Sequence, residues 1–457
     1  MVKTKQSILH FIKLSQTSDW NIKQIVSQVF FNSKYDKISI GKCIRRIKNE
    51  VVVQDDTLYK RLTIKTKGGG VSVRDELIGK GIKTKNQYLV SSGQLAVSKI
   101  DARNGAFGIV PPEADNAIIT GNFWVFEVDK NIVFPQFLVI LLSSVQFVQA
   151  WLECSNGSGN RLYLQEERFL KYKIPLPSLN EQQALLDVYN FSMQKVADAE
   201  NKAKTVSYEI ERFLFESLGI ANRELVKNHS IIHYVSFKDI NRWGYDKISM
   251  IFPYVFIKYK AYSFNDRPMW LKALVRGKSP QYSADSVSII LNQKCNRTDS
   301  IDLSYAKTVD TEWLEMFDKR YLTKESDILI NSTGEGTLGR ASLVTKEHEG
   351  LAYDSHMLLL RVNQEEVDPQ LIVDLINSPF GQKQVEVNKS AQATKQTELG
   401  VDNTKRILFP LPDLSEQKRI SFVVKEKKNK ISALQKSAEN LRMQAKKEFE
   451  EAVFGEI

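Results

Sequence analysis

The sequence is short of the residues that build disulfide scaffolds, metal fingers and membrane spans. Only three cysteines occur in 457 residues. Cys43, Cys154 and Cys295 are far apart and odd in number, which argues against a disulfide framework and fits a reducing, cytoplasmic setting. No Cys-x-x-Cys pair exists. His229 and His233 stand four apart with no cysteine or acidic set beside them, so no metal site is expected. The most apolar stretch, 134–152, is interrupted by Pro135, Gln136, Gln146 and Gln149, so it reads as a packed amphipathic helix and not a span. Residues 1–18 lack the layout of a signal peptide.

What remains is an ordinary globular composition, 42% hydrophobic and 26% charged, in a chain long enough for two or three domains. The net charge is +10 and the pI about 9.1. A basic balance of this size suits a polyanion, whose condensed counterions are released on binding, but it also suits a merely soluble basic protein.

The chain is written twice, with a period of about 235 residues, which is the length of a domain and not of a solenoid repeat. The clearest pair is Ile174-Pro175-Leu176-Pro177-Ser178-Leu179-Asn180-Glu181-Gln182 against Phe409-Pro410-Leu411-Pro412-Asp413-Leu414-Ser415-Glu416-Gln417. Weaker echoes are Tyr88-Leu89 with Tyr321-Leu322, Gln94-Leu95-Ala96-Val97 with Asp327-Ile328-Leu329-Ile330, and Pro135-Gln136-Phe137-Leu138 with Pro369-Gln370-Leu371-Ile372. Trp20-Asn21 against Trp243-Gly244 is faint.

After Pro177 and Pro412, Ser178 and Asp413 sit at N-cap positions with Glu181 and Glu416 three residues on, the capping-box spacing. Heptad-spaced apolar residues follow. They include Val196, Ala199, Ala203, Val206, Ile210 and Phe213 in the first helix. The second has Ile420, Val424, Ile431, Leu434, Ala438, Leu441 and Ala445, interrupted by Lys427. Gly219 and Gly455 close the two patterns. Each helix would run roughly 60 Å at 1.5 Å per residue. Such a seam needs a partner. The equal lengths favour the two helices packing on each other as an antiparallel coiled coil, over each packing on its own domain. Strands are predicted at Leu62-Thr63-Ile64, Leu95-Ala96-Val97, Ile118-Ile119-Thr120, Phe123-Trp124-Val125-Phe126, Ile328-Leu329-Ile330 and Met357-Leu358-Leu359-Leu360. The fold class is therefore α+β: two globular mixed α/β domains separated by two long helices in a pseudo-two-fold repeat. The boundaries fall at 1–177, 178–219, 220–412 and 413–457.

With its doubled order, its two PLP junctions before long helices, and the stretch from Tyr59-Lys60-Arg61-Leu62-Thr63-Ile64 to Ser98-Lys99-Ile100-Asp101-Ala102-Arg103-Asn104-Gly105-Ala106-Phe107-Gly108, the sequence resembles the specificity subunit of Type I restriction–modification systems. The resemblance implies two target recognition domains, each reading one part of a split, asymmetric site in double-stranded DNA. It implies spacer helices that set the distance and dock two modification (methyltransferase) subunits. It also implies S-adenosylmethionine bound by those partners, and ATP and Mg bound by restriction subunits where they join. The chain itself would be non-catalytic. The second half carries Ser332-Thr333-Gly334-Glu335-Gly336 in place of Lys99-Ile100-Asp101-Ala102-Arg103-Asn104, so contacts cannot be transferred between halves.

A two-part site needs cations for the backbone and bonding groups for base edges. Candidates in the first half are Lys60, Arg61, Lys65, Lys67, Arg74, Lys80, Lys83 and Lys85, around a Gly68-Gly69-Gly70 loop able to approach phosphates, with Lys99, Arg103 and Asn104 beyond a strand. In the second half they are Arg276, Lys278, Arg297, Arg320, Thr337, Arg340 and Lys395, each with an ordinary surface role as the bland alternative. The formal GxGxxG from Gly334 to Gly339 precedes a predicted strand, not a helix, so it reads as a turn and not a nucleotide loop.

Two other classes compete. A stand-alone DNA methyltransferase lacks its motif, since Pro111-Pro112 is flanked by Val110 and Glu113. A nuclease reading of Pro412-Asp413 with Glu426-Lys427-Lys428 puts the carboxylates about 20 Å apart along one helix, too far to share a metal. A coiled-coil scaffold that binds only protein explains the helices but leaves two diverged basic domains idle.

Overall fold

Proline and capping side chains set the ends of the two longest elements in the computed structural model, which describes residues 33–158, 161–222, 253–334, 336–391 and 397–455. Trp20, Asn21, Trp243, Gly244, His229, His233 and Lys395 lie outside the described residues. The long helices span Leu179–Leu218 and Leu414–Phe454. Ser178 and Glu181 form a reciprocal box: the Ser178 backbone N–H and hydroxyl donate to the Glu181 carboxylate at 3.0 and 2.7 Å, and the Glu181 N–H reaches the Ser178 hydroxyl at 3.4 Å. The second box is one-sided. Asp413 accepts from the Glu416 N–H at 3.1 Å, but the Glu416 carboxylate turns to Arg419 at 2.6 Å. Gly219 and Gly455 end the helices with φ of +67° and +85°, a left-handed turn that glycine adopts without strain.

The described residues divide into two compact units, one of those up to Ala199 with those from Lys436 on, the other within Glu200–Gln435. In the first, an antiparallel four-stranded sheet has the order Ile44–Ile47, Phe123–Val128, Leu95–Ser98, Phe107–Ile109. In the second, an antiparallel sheet has the order Leu271–Arg276, Met357–Val362, Ile328–Asn331, Ala341–Leu343. These are the same four places in the repeat. The units differ in what is added. The first carries a five-stranded sheet containing the long hairpin Leu58–Ile64 and Val71–Ile78, whereas the second carries a three-stranded sheet of Lys307–Thr308, Ile289–Leu291 and Ala352–Tyr353. The weak echo of Tyr88 with Tyr321 is not a structural match: Tyr88 lies in the strand Asn86–Leu89, Tyr321 in the short turn Lys319–Tyr321.

The echo of Gln94 with Asp327 is structural. Each accepts from a backbone N–H three residues earlier, Ser91 and Lys324, at 2.8 Å. Each also pairs with a side chain on the neighbouring strand. Gln94 donates to Glu127 at 2.8 Å, and Asp327 takes a two-pronged contact from Arg361 at 2.7 Å.

The apolar stretch 134–152 is two helices and not one, Pro135–Leu142 and Gln146–Glu153, bent by 80°. The Ser144 hydroxyl takes the Leu141 carbonyl and the Trp151 indole takes that of Leu142, so the helical ladder stops there. Ser378 does the same between Pro369–Asn377 and Pro379–Asn388, accepting the Gly381 N–H and donating to the Leu375 carbonyl. No single described helix is long and apolar enough to cross a membrane. The three cysteines are buried and unpaired.

Each unit's core takes in a piece of both long helices. In the first, Leu186, Phe449, Val453 and Phe454 join Phe107, Phe126, Phe137, Phe147, Trp151 and Phe169, with Tyr189 edge-on to Phe449 at 6.0 Å. In the second, Leu214, Leu218, Ile420 and Val424 join Leu371, Ile372, Leu375, Phe380 and Phe409. Lys427, the residue that interrupts the heptads, reaches Glu209 at 2.6 Å.

The residue that fixes each helix to its domain was not singled out in the sequence. Gln182, fully buried, accepts from the Phe134 N–H at 2.9 Å and donates to the Ile132 and Pro177 carbonyls at 3.1 and 2.9 Å. Gln417 repeats this with the Asp368 N–H at 2.9 Å and the Glu366 and Pro412 carbonyls at 3.1 and 2.9 Å. Replacing either glutamine by leucine leaves three backbone groups unpaired, and should lower unfolding stability by about 1–3 kcal/mol in chemical denaturation; an unchanged midpoint in both variants would remove the clamp.

A second tie joins Lys428 to Asp374 at 2.7 Å and Asp299 at 2.6 Å. Burial pushes the Asp374 carboxyl up to about 6 against the pull of Lys428. Because the folded carboxyl binds its proton more readily than the unfolded one, removing the lysine strands a charge only above that range. Lys428→Met should therefore cost about 3–5 kcal/mol at pH 8 and distinctly less at pH 5. Equal losses at both pH values in thermal unfolding would contradict this.

Candidate nucleic-acid interface

Antiparallel neighbours end one strand beside the start of the next, so residues just beyond those termini collect at one end of the sheet. In the first unit that end holds Lys48, Lys99 and Asn122, the Lys99 N–H donating to the Asn122 carbonyl at 3.0 Å. The Arg46 guanidinium lies over the rings of Trp124 and Phe126 at 5.6 and 5.4 Å, and the Lys99 ammonium lies 5.6 Å from the Trp124 ring. Burial, and then the Arg46 charge, lower the Lys99 pKa, and burial lowers that of Arg46. Arg103 is half-buried and Asn104 exposed in the short turn Ala102–Asn104, where the Asn104 amide donates to Asp101 at 3.1 Å.

The Gly68-Gly69-Gly70 turn is not a free probe. The Lys67 and Gly68 N–H groups donate to the Asn104 and Gly105 carbonyls at 2.6 and 3.0 Å, and Lys446 donates to the Lys67 carbonyl at 3.0 Å. Gly105, at φ +72°, is close enough that a Cβ there would meet the Gly68 nitrogen at 3.3 Å. The loop is thus clamped to the 102–105 turn, with Gly69 exposed at its tip. Among the hairpin cations, Arg61 is held by Asp75 at 2.6 Å, Arg74 approaches the same carboxylate at 3.3 Å, and Lys85 pairs with Asp55 at 2.5 Å. Lys60 donates to the Glu113 carbonyl at 3.0 Å. Lys65, Lys67, Lys80 and Lys83 are exposed and carry no ion pair among the described residues.

In the second unit the loop 332–340 joins two antiparallel strands, as its sequence implies, and no helix follows the GxGxxG. Arg340 is turned back, donating to the Asn296 carbonyl at 3.3 Å, so it braces the hairpin. Thr337 lies against the Gly334 carbonyl at 3.5 Å. Arg320 is neutralised by Asp318, whose carboxyl that guanidinium holds down at about 2. Arg297 stacks on Tyr305 at 4.1 Å. Arg276 and Lys278 stand exposed at the sheet end, Arg276 donating to the Ser355 carbonyl at 2.6 Å and pairing with Glu398.

Beside them are groups the sequence gave no reason to join: Gln293, Thr333, Asp354 and His356. Thr333 Oγ1 is 2.7 Å from His356 Nδ1 and 3.4 Å from Gln293 Oε1. Burial raises the Asp354 pKa while His356 opposes the shift. No local motif could have found this group, since its members come from three separate loops, only Asp354 and His356 sharing one. The nuclease alternative loses its residues: Asp413 caps a helix, Lys427 is paired with Glu209, and Lys428 with Asp299 and Asp374.

Residues 38–189 match the family model described as Type I restriction modification DNA specificity domain. The chain is 26% identical over 147 residues to a putative type I restriction enzyme MjaX specificity subunit of Methanocaldococcus jannaschii, covering 32% of this chain and 33% of that protein. It is 27% identical over 100 residues to the type I restriction enzyme HindI specificity subunit of Haemophilus influenzae, covering 22% of each. The alignments thus span about a third and about a fifth of these relatives. A solved HsdS subunit from Thermoanaerobacter tengcongensis superposes over 93% of this chain and 97% of its own, with 14% identity and a TM-score of 0.36.

Proposed function

We propose, from the premise that this chain belongs with the type I restriction specificity subunits, that it reads a two-part site in double-stranded DNA and itself catalyses nothing. The single observation that carries the reading is the doubling. The same four-stranded sheet, the same glutamine clamp and the same long helix occur twice, while the polar residues at the matching sheet ends differ. A repeated frame with unlike tips is what two different half-sites require. In this proposal the helices Leu179–Leu218 and Leu414–Phe454 pack as an antiparallel coiled coil and act as the ruler. Two modification subunits dock on them and bring S-adenosylmethionine; restriction subunits, where present, bring ATP and Mg.

The test is selection of randomised duplexes by the full chain with its modification partners. The expected result is a motif of two defined halves and an undefined spacer; a pool with no enriched motif would overturn the assignment. Lys65→Ala with Lys67→Ala should weaken all sequences alike and lower the salt slope by about 1 per lysine, and an unchanged slope would take both residues out of the interface. Inserting seven residues in the first long helix should change the tolerated spacer; a preserved spacer would refute the ruler.

A further inference from the structure

In the second unit, Arg276 ends one strand, Met357 starts its antiparallel neighbour, and Asn331 ends the next. Residues one step beyond therefore meet at one sheet end. Gln293 is fixed there by its own backbone, since the Asn331 amide donates to its carbonyl at 3.1 Å. Its side chain lies so close to the 332–340 loop that a Cβ on Gly334 would come within 2.8 Å of Gln293 Oε1 and 2.5 Å of Thr337 Oγ1; Gly334 also has φ +106°. The contact is built, and it requires glycine.

One arrangement of protons satisfies both contacts. An amide oxygen only accepts, so the Thr333 hydroxyl donates to Gln293. In that arrangement the same hydroxyl oxygen accepts from His356 Nδ1–H, 2.7 Å away, which leaves the Nε2 lone pair. The Gln293 amide nitrogen has no partner among the described residues, nor does His356 Nε2. The notch therefore offers one donor and one acceptor. In the major groove adenine presents an acceptor, N7, beside a donor, N6; guanine presents two acceptors, and cytosine and thymine lack the pair. Exposed Lys278 stands at the same end, placed to meet a phosphate.

We infer that the Gln293–Thr333–His356 notch reads an adenine edge in the half-site taken by the second unit, with Thr333 as the positioning residue. This rests on the DNA-reading proposal. Among the described residues the matching end of the first unit carries Lys48, Lys99 and the Arg46–Trp124 stack instead, so this notch acts on the second unit's half alone.

The experiment is the duplex selection above, run on the full chain with its partners and on Gln293→Ala, His356→Ala and the nearly isosteric Gln293→Glu, which keeps the shape if alanine fails to fold. The wild type should require adenine at one position of one half. Each variant should lose that preference by about tenfold or more, with the other half and the salt slope unchanged. A wild-type motif that persists unaltered in Gln293→Glu and His356→Ala overturns the notch while leaving DNA reading in place, as does relaxation spread over both halves. A wild type with no motif overturns DNA reading itself, and the notch with it.

Discussion

A buried carboxamide must find an acceptor for its nitrogen and a donor for its oxygen, or it costs more than it contributes. Gln182 and Gln417 find theirs in backbone groups on both sides: the carbonyl just before the helix, and the turn that opens the helix Pro135–Leu142 or Pro369–Asn377. Few other side chains of that length could do both. A helix residue turns about 100° from the last, so moving the glutamine by one position would swing it out of reach of all three partners. The clamp thus fixes the rotation of each long helix at its origin. It is that rotation which aims Leu186 and Tyr189 at the first core and Ile420 and Val424 at the second.

Farther along the helices the register is held by charge. Lys427 with Glu209, and Lys428 with Asp374 and Asp299, place cations among apolar neighbours. Hydrophobic contact alone would tolerate a slide of one heptad. A half-buried lysine that must meet a carboxylate does not, so polar residues here contribute specificity more than net stability. The interruption of the heptad pattern at Lys427 is for this reason the point where the second long helix meets Glu209 of the first.

Much of the frame was legible because it rests on local rules. Caps, C-terminal glycines and alternating strands follow from neighbours in sequence, and the strands at 95–98, 123–128, 328–331 and 357–362 lie where their patterns put them. The misses share a different physics. A glycine triplet looks mobile until Asn104, Gly105 and Lys446 bind its backbone. A basic run looks free until Asp75 and Asp55 neutralise part of it. An apolar run looks like one helix until a tryptophan folds back on its end. The partners stand from 9 to 379 residues apart, and periodicity reports none of them.

The two units also show how a duplicated domain can change what it touches without losing its fold. Gln94 with Glu127 became Asp327 with Arg361, or the reverse, and each pair still spans the same two strands and still accepts an N–H three residues upstream. Inside the frame, then, substitutions are constrained to come in compensating pairs, because an unmatched buried partner is expensive. At the sheet ends the couplings are particular to each unit: Lys99 lies against Trp124 in the first, and His356 is tied to Thr333 in the second. The ends and the added sheets can therefore differ between the units while the clamp and the four-stranded sheet stay fixed.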